Sequence, residues 1–461
     1  MKNKLFISIY CGLMILLASC NNYLDVKPKG KIIPETAEDF STIIHYWLDQ
    51  IEKGRDDVII PNPEVMTTLE MFADDLNATL ASNFGYTSIY VGSAINKNQA
   101  TYKTLYSVIK DCNMVIGNMD DTESDLARTL LGTAWSIRSI CYYNLMQRYC
   151  EPYQPETAKE TLGLPLVDDF DMEAKPARAN LKETAEFIEE GFRKALSYNV
   201  SNEDFIFTSS VTKAYFARFF FWTQNWSSAI TYAKEVLEKY PMLEADEYVE
   251  AINQKQAKAH NVIIRSFTMD DDIGTMSYAT AQADIKSRPV DRNLVDLFAA
   301  TDNDVRRKCN YDSKRIVNKI ITTKFRSEEL CLIIAEAHAH LNQETDALGY
   351  LNQLRSKRIT QDYIAYTIDN LPEVFQQNIK TDATGIPLTK LMSAILCERR
   401  KELFVEGDRW FELKRNGRPA FWVAAKGKKF ITEKYLYTFP IPKADIRLFP
   451  DLLIQNPGYI E

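Results

Sequence analysis

The chain has 461 residues and a formal charge of −8, and 46% of its side chains are hydrophobic and 11% aromatic. That apolar share supports a packed core and excludes a disordered chain. An acidic balance without a basic run excludes a nucleic-acid partner and electrostatic docking on anionic lipid.

Lys2 and Lys4 precede an apolar stretch over 5–18, interrupted by Ser8, Tyr10 and Gly12. It is shorter than the about 20 apolar residues a membrane span needs, so it reads as the core of a signal peptide over 1–19. Leu17-Ala18-Ser19-Cys20 reads as a bacterial lipobox, in which the Cys20 thiol takes a lipid. An ordinary signal followed by a chance cysteine is the competing reading, but all four positions fit the lipobox. With no second long apolar run, the globule over 20–461 is expected to be tethered by acyl chains and not to span the membrane.

Residues 75–100 are rich in Asn, Ser, Thr, Gly and Tyr and read as loop. A helix pair is predicted over 102–120 and 125–150, then loop over 151–180, then a helix near 181–197. Residues 211–222 are apolar nearly all round, as in a buried helix. Ala229, Ile230, Ala233, Val236, Leu237 and Tyr240 form one face of the next helix, which Pro241 stops. The short connection at 224–227 forces the two to pack antiparallel. Residues 261–267 are a strand candidate. Leu330, Ile333, Ile334, Ala337 and Leu341 make a further helical stripe. Ala347, Leu348, Leu351 and Leu354 make its partner. In both hairpins a small residue precedes an alanine by twelve positions, Ala217 before Ala229 and Ala335 before Ala347. That is the tetratricopeptide spacing, so TPR-like hairpins are predicted. Residues 360–386 read as loop, 435–439 as a strand candidate, and 439–459, with four prolines, as non-helical.

The densest constellation is Glu398-Arg399-Arg400-Lys401-Glu402, followed by Glu406-Gly407-Asp408-Arg409. Leu391, Ile395, Arg399 and Leu403 share a face, so Arg399 is expected to be buried, with Glu398, Glu402 and Glu406 as candidate partners. Gly407 fits a helix end and Asp408 a cap for the next helix. Paired carboxylates would suit acid/base chemistry, but a structural ion-pair network joining helices is the stronger reading. His338 and His340 diverge by roughly 200° on a helix and do not share a metal. Asp270-Asp271-Asp272 and Asp168, Asp169 and Asp171 lack the spacing of a calcium loop and read as solvated turns. Cys112, Cys141, Cys150, Cys309, Cys331 and Cys397 are widely spaced, without Cys-x-x-Cys, so neither a disulfide framework nor a zinc site is expected, and no cofactor is predicted. Tyr86, Tyr90, Tyr102 and Tyr278 have no core role by periodicity. Tyr86, Tyr90 and Tyr278, with Asn83 and Asn96, are the candidate ligand residues: a ring packs on an apolar face while amides take hydroxyl or backbone groups. A ring packed beneath a loop is the alternative at each.

Six blocks in order carry a family resemblance. They are Tyr23-Leu24-Asp25 with Pro28; Tyr102-x-x-Leu105-Tyr106 through Cys112-Asn113; Gly132-x-Ala134-x-x-x-Arg138 with Tyr142-Tyr143, Tyr149 and Leu164-Pro165-Leu166-Val167; Arg326-x-x-Glu329 through Ala335-Glu336-Ala337; Glu398-Arg399-Arg400-x-Glu402-Leu403-x-x-Glu406-Gly407-x-Arg409-Trp410-x-Glu412-Leu413-Lys414-Arg415; and Phe439-Pro440-Ile441-Pro442 with Gln455-Asn456-Pro457-Gly458-Tyr459. Together they resemble the SusD/RagB family of Bacteroidetes outer-membrane lipoproteins. Cys150 and Glu412 depart from its usual Gly and Asp. The resemblance implies a mostly all-α, SusD-like body of TPR-like hairpins with loop-rich segments and a few short strands. It divides the body into an N-terminal region of about 21–200 and a C-terminal region of about 265–461. It implies no catalysis, a glycan or peptide ligand, and a SusC-like TonB-dependent transporter as partner. It also implies a lipid anchor in the outer membrane with display at the cell surface, although the residues after Cys20 carry no clear acidic export run. Its recurrent motifs are structural and its ligand residues lie in variable loops. A surface glycosidase and a TPR scaffold that binds no nutrient are the rival classes.

Overall fold

The computed structural model describes residues 34–55, 58–80, 100–170, 175–254, 259–266, 272–298, 303–425 and 428–459. Helices dominate them, as the periodicity predicts. The long helix Asp125–Tyr149 is buried almost end to end and lies between Ala37–Glu52, Ala100–Asn118 and Leu181–Ser197. Its apolar residues leave no polar stripe, which is the pattern of a helix surrounded by others. The predicted helix near 181–197 is present as Leu181–Ser197, held at its start by Asn180 and Glu183 in a capping box.

Both predicted hairpins form. Ser209–Trp222 packs on Trp226–Lys239, and Ser327–His340 on Glu344–Ser356. Each has a three-residue turn whose middle residue is left-handed, Gln224 at φ 62° and Asn342 at φ 57°. The hairpins pack on each other, with His340 stacked on Trp226 at 4.1 Å between centroids. Ala217, Ala229, Ala335 and Ala347 are all fully buried, so the small side chains sit where the helices close. Ala217→Leu should therefore overpack the first hairpin and cost about 1–3 kcal/mol, read as a lower urea midpoint with an unchanged slope. A midpoint equal to that of the unaltered protein would show that the spacing has no packing role.

Strands are few. Val262–Arg265, inside the predicted stretch, pairs antiparallel with Lys324–Arg326. Leu162–Pro165 pairs with Arg178–Asn180, within a region read as loop. A third pair, Phe421–Ala425 with Lys428–Thr432, lies where the sequence predicts no element. The strand expected over 435–439 is instead a 3-10 turn, Lys434–Tyr437. Leu436 and Tyr437 are both buried, and Tyr437 stacks on Trp410 at 4.4 Å; the amides of Leu436 and Thr438 bond the carbonyls of Glu433 and Tyr435 three residues back, so they are not available to a partner strand. The proline-rich end contains a short helix, Lys443–Leu448, entered from Pro442. There the missing N–H costs nothing, because a helix start leaves its first amides unbonded.

Several motif residues prove to be backbone clamps. Gln455 accepts from the Ile441 amide (2.9 Å) and donates to its carbonyl (3.0 Å). Asn456 donates to the carbonyls of Tyr149 and Phe439. Arg138 donates to Asn113, whose amide holds the Val167 carbonyl, while the Tyr142 hydroxyl accepts from the Val167 amide. Each satisfies polar groups that burial would otherwise leave unpaired.

Candidate functional site

The densest sequence constellation lies on the helix Lys390–Glu402, whose start Thr389 caps by accepting from the Met392 amide at 3.1 Å. Four-residue spacing puts Glu398 and Glu402 on one stripe, with Arg399 about 100° away. Glu402 accepts from Arg358 at 3.0 and 3.1 Å, from Arg326 at 3.0 Å and from Arg306 at 3.3 Å. Glu398 takes Arg306 and Lys401, and Glu406 takes Lys319 and Arg326. Arg399 therefore does not pair with any of its three candidate partners. It faces the other way and grips Asp408 at 2.8 and 2.5 Å. That also explains why Asp408 starts the next helix without a side-chain cap. Gly407 does supply the left-handed turn, at φ 78°.

Burial pushes the Glu402 carboxyl up, but Arg358, Arg326 and Arg306 outweigh it and hold it well below the usual carboxylate range. A carboxylate bound by three guanidiniums has no lone pair to spare for a proton in transit. This is the expected structural network, and it is wider than a link between two helices. It ties 304–306, 326–328, 358 and 398–406 into one node.

This helix and the next, Arg409–Arg415, also secure the segment leading into residue 81. Arg400 donates to Asp75 at 2.6 Å, and Arg409 donates to Asp74 at 2.7 and 3.0 Å. Asn378 donates to Asp74, and Asn77 to Asp291. Glu70 accepts from the Gly407 amide at 2.7 Å. Burial, reinforced by Asp75, pushes Glu70 up to about 8, so it is protonated at neutral pH. The root of the predicted ligand loop is thus clamped to the C-terminal helices by charge-assisted bonds.

Asn83, Tyr86, Tyr90 and Asn96 lie outside the described residues, as does Cys20. Tyr278 is not in a loop. It lies on the helix Asp272–Lys286, half-buried, with its hydroxyl 3.2 Å from Gln282. Tyr102 is buried on the helix Ala100–Asn118, edge-on to Tyr149. Helix packing decides both positions, because a tyrosine in a polar stretch carries no periodicity of its own. Sequence reading missed an exposed ring, Trp422. It sits on the Phe421–Ala425 strand opposite Ile431, with Lys429 4.9 Å from its centroid, and both Trp422 and Ile431 are over half exposed. That strand packs on the 3-10 turn Ala78–Leu80, where the clamped root ends. The signal was Phe421-Trp422-Val423 and Lys429-Phe430-Ile431 flanking Gly427, a hairpin pattern.

His338 bonds Gln343 and stacks on Tyr350, so the histidines pack rather than ligate. Among the described residues no group of three His, Cys, Asp or Glu side chains has metal-binding geometry. The six cysteines named above are free thiols. Asp270, Asp271 and Asp171 lie outside the described residues.

Residues 305–459 match the family model described as SusD family, and 22–221 match one described as starch-binding associating with outer membrane. SusD-like protein P38 of Formosa agariphila is 34% identical over 94 residues, which is 20% of this chain and 16% of that relative's length. A SusD superfamily protein from Bacteroides vulgatus superposes with TM-score 0.72 at 18% identity, covering 93% of this chain and all of that one. A laminarin binding SusD-like protein gives TM-score 0.62 at 17% identity, covering 92% and 99% of the two chains. Surface glycan-binding protein A from Bacteroides fluxus gives 0.64 at 15%, covering 92% and 100%. At such identities the likeness is one of fold.

Proposed function

The chain belongs to the SusD/RagB family, and from that premise we propose that it is a non-catalytic glycan-binding lipoprotein of the outer membrane, working at the cell surface with a SusC-like TonB-dependent transporter. The observation that carries this reading is the match of 22–221 to the model described as starch-binding associating with outer membrane. Two proteins of the same fold are named for laminarin and surface glycan binding, which supports glycan over peptide. No helix of the described residues is long and apolar enough to cross a membrane, which is compatible with an anchor through Cys20.

The binding residues we propose are Tyr86, Tyr90, Asn83 and Asn96, in the stretch that the sequence predicts to be loop and that follows the clamped segment, with Tyr278. Protein starting after Cys20 should be retarded in native gels containing a β-glucan or starch, and should leave those polymers intact on incubation. Hydrolysis of any glycan would place it with the glycosidases, and retention of peptides alone would move the ligand class to peptide. Tyr86→Ala and Tyr278→Ala should each weaken glycan binding about tenfold, with melting within about 2 °C of the parent. Unchanged affinity in both would remove these residues from the site.

A further inference from the structure

A cavity of about 120 Å³ lies between the first TPR-like hairpin and the helix Arg409–Arg415. Four residues on its wall, Trp222, Arg399, Glu412 and Arg415, are each more than nine-tenths buried. Each holds a buried polar atom with no hydrogen-bond partner among the described residues: Trp222 Nε1, Arg399 Nη1, Arg415 Nη2 and Glu412 Oε1. The other acids on the wall are occupied. Glu329 is taken by Arg218, Asp408 by Arg399, and Glu406 by Arg326 and Lys319. Three unused donors therefore stand against one unused acceptor. Both guanidiniums are gathered over one ring, Phe221, with Arg415 at 4.1 Å and Arg399 at 5.4 Å from its centroid.

We propose that this cavity binds a small oxyanion, held by Arg399, Arg415 and Trp222. A buried excess of unpaired donors is complementary to a group with several acceptor oxygens, and the planar guanidinium fork suits a carboxylate, sulfate or phosphate. An engineered cavity of about 150 Å³ takes one benzene, so the occupant here has roughly four to six heavy atoms. Arg218 and Asp408, with side chains 22% and 18% exposed, also line the cavity. Tyr278 does not line it, and the proposal does not depend on the glycan reading. The anion is either free or the acid substituent of a larger molecule, and both present the same oxygens.

The full-length protein should be titrated calorimetrically with inorganic phosphate, sulfate and acetate, with chloride at matched ionic strength as control. Glucuronate beside glucose distinguishes a substituent from a free anion. The expected result is one saturable site for an oxyanion, with a dissociation constant below about 1 mM. Trp222→Phe keeps the ring and removes a donor. Arg415→Lys keeps the charge that pairs with Glu336. Each should weaken the oxyanion about tenfold, while glycan retention stays as in the parent. Heat equal to that of chloride, or affinity unchanged in both variants, would overturn the proposal, as would a crystal soaked in phosphate with only water in the cavity.

Discussion

Glu402→Gln should destabilise the protein by about 3–5 kcal/mol, the usual cost of removing one partner from a buried ion pair. Glu402 is fully buried and is bonded by Arg358, Arg326 and Arg306. A glutamine offers one acceptor oxygen where two charged ones stood, and its amide hydrogens point at guanidiniums that can only donate. Three cations would remain out of water with Asp304, Glu398, Glu328 and Glu406 to balance them. The pH dependence follows from the sign of the shift. Glu402 ionises more readily folded than unfolded, so its contribution is present above the unfolded value of 4.5 and is lost as pH falls through the folded one. The gap between parent and variant in urea unfolding should be widest above pH 4.5 and narrow towards pH 2. A gap under about 1 kcal/mol at pH 7 would show the node to be energetically idle.

Lys414→Met should cost about 2–4 kcal/mol, because it strips donors from buried carbonyls. The Lys414 amine donates to the carbonyls of Gln147 and Cys150, both at 2.7 Å, with Arg148 at 3.5 Å. It closes the C-terminal end of the Asp125–Tyr149 helix, where carbonyls have no partners within the helix. Burial lowers the amine to about 7. Two short bonds suit the two hydrogens of its neutral form. Between about 7 and the unfolded value of 10.5 the unfolded chain binds more protons than the folded one, so the contribution of Lys414 to stability rises with pH across that window. The stability difference between parent and Lys414→Met should therefore grow from pH 7 to pH 10. A constant difference would mean that the amine keeps its proton when folded.

The sequence already contained the helical hairpins, because a 3.6-residue period of apolar side chains has few other solutions. The alanine spacing of Ala217 with Ala229 and Ala335 with Ala347 marked where helices close, and both pairs are buried. The strand within 261–267 was legible from the β-branched run Val262-Ile263-Ile264, and its partner Lys324–Arg326 was not, since three residues carry no period. The hairpin bearing Trp422 was overlooked because its strands are short and lie in a stretch without helical periodicity. Of the candidate ligand residues, Tyr278 lies in a helix, and Asn83, Tyr86, Tyr90 and Asn96 follow a segment whose anchorage only the fold reveals.

The residues from Glu398 to Arg415 show the division most clearly. Their spacing by itself determined that charges would be buried on a helix and must find opposite charges there, since an unpaired ion inside a protein is too costly to persist. It could not determine which charges meet. Glu402 finds Arg306, Arg326 and Arg358, and Arg400 and Arg409 reach back to Asp75 and Asp74, over 300 positions earlier. Those pairings depend on how helices from both ends of the chain pack. Helical period fixes only the angle at which a side chain leaves its own axis. What stands opposite is set by the tertiary structure, where burial of apolar faces brings the partners within bonding distance.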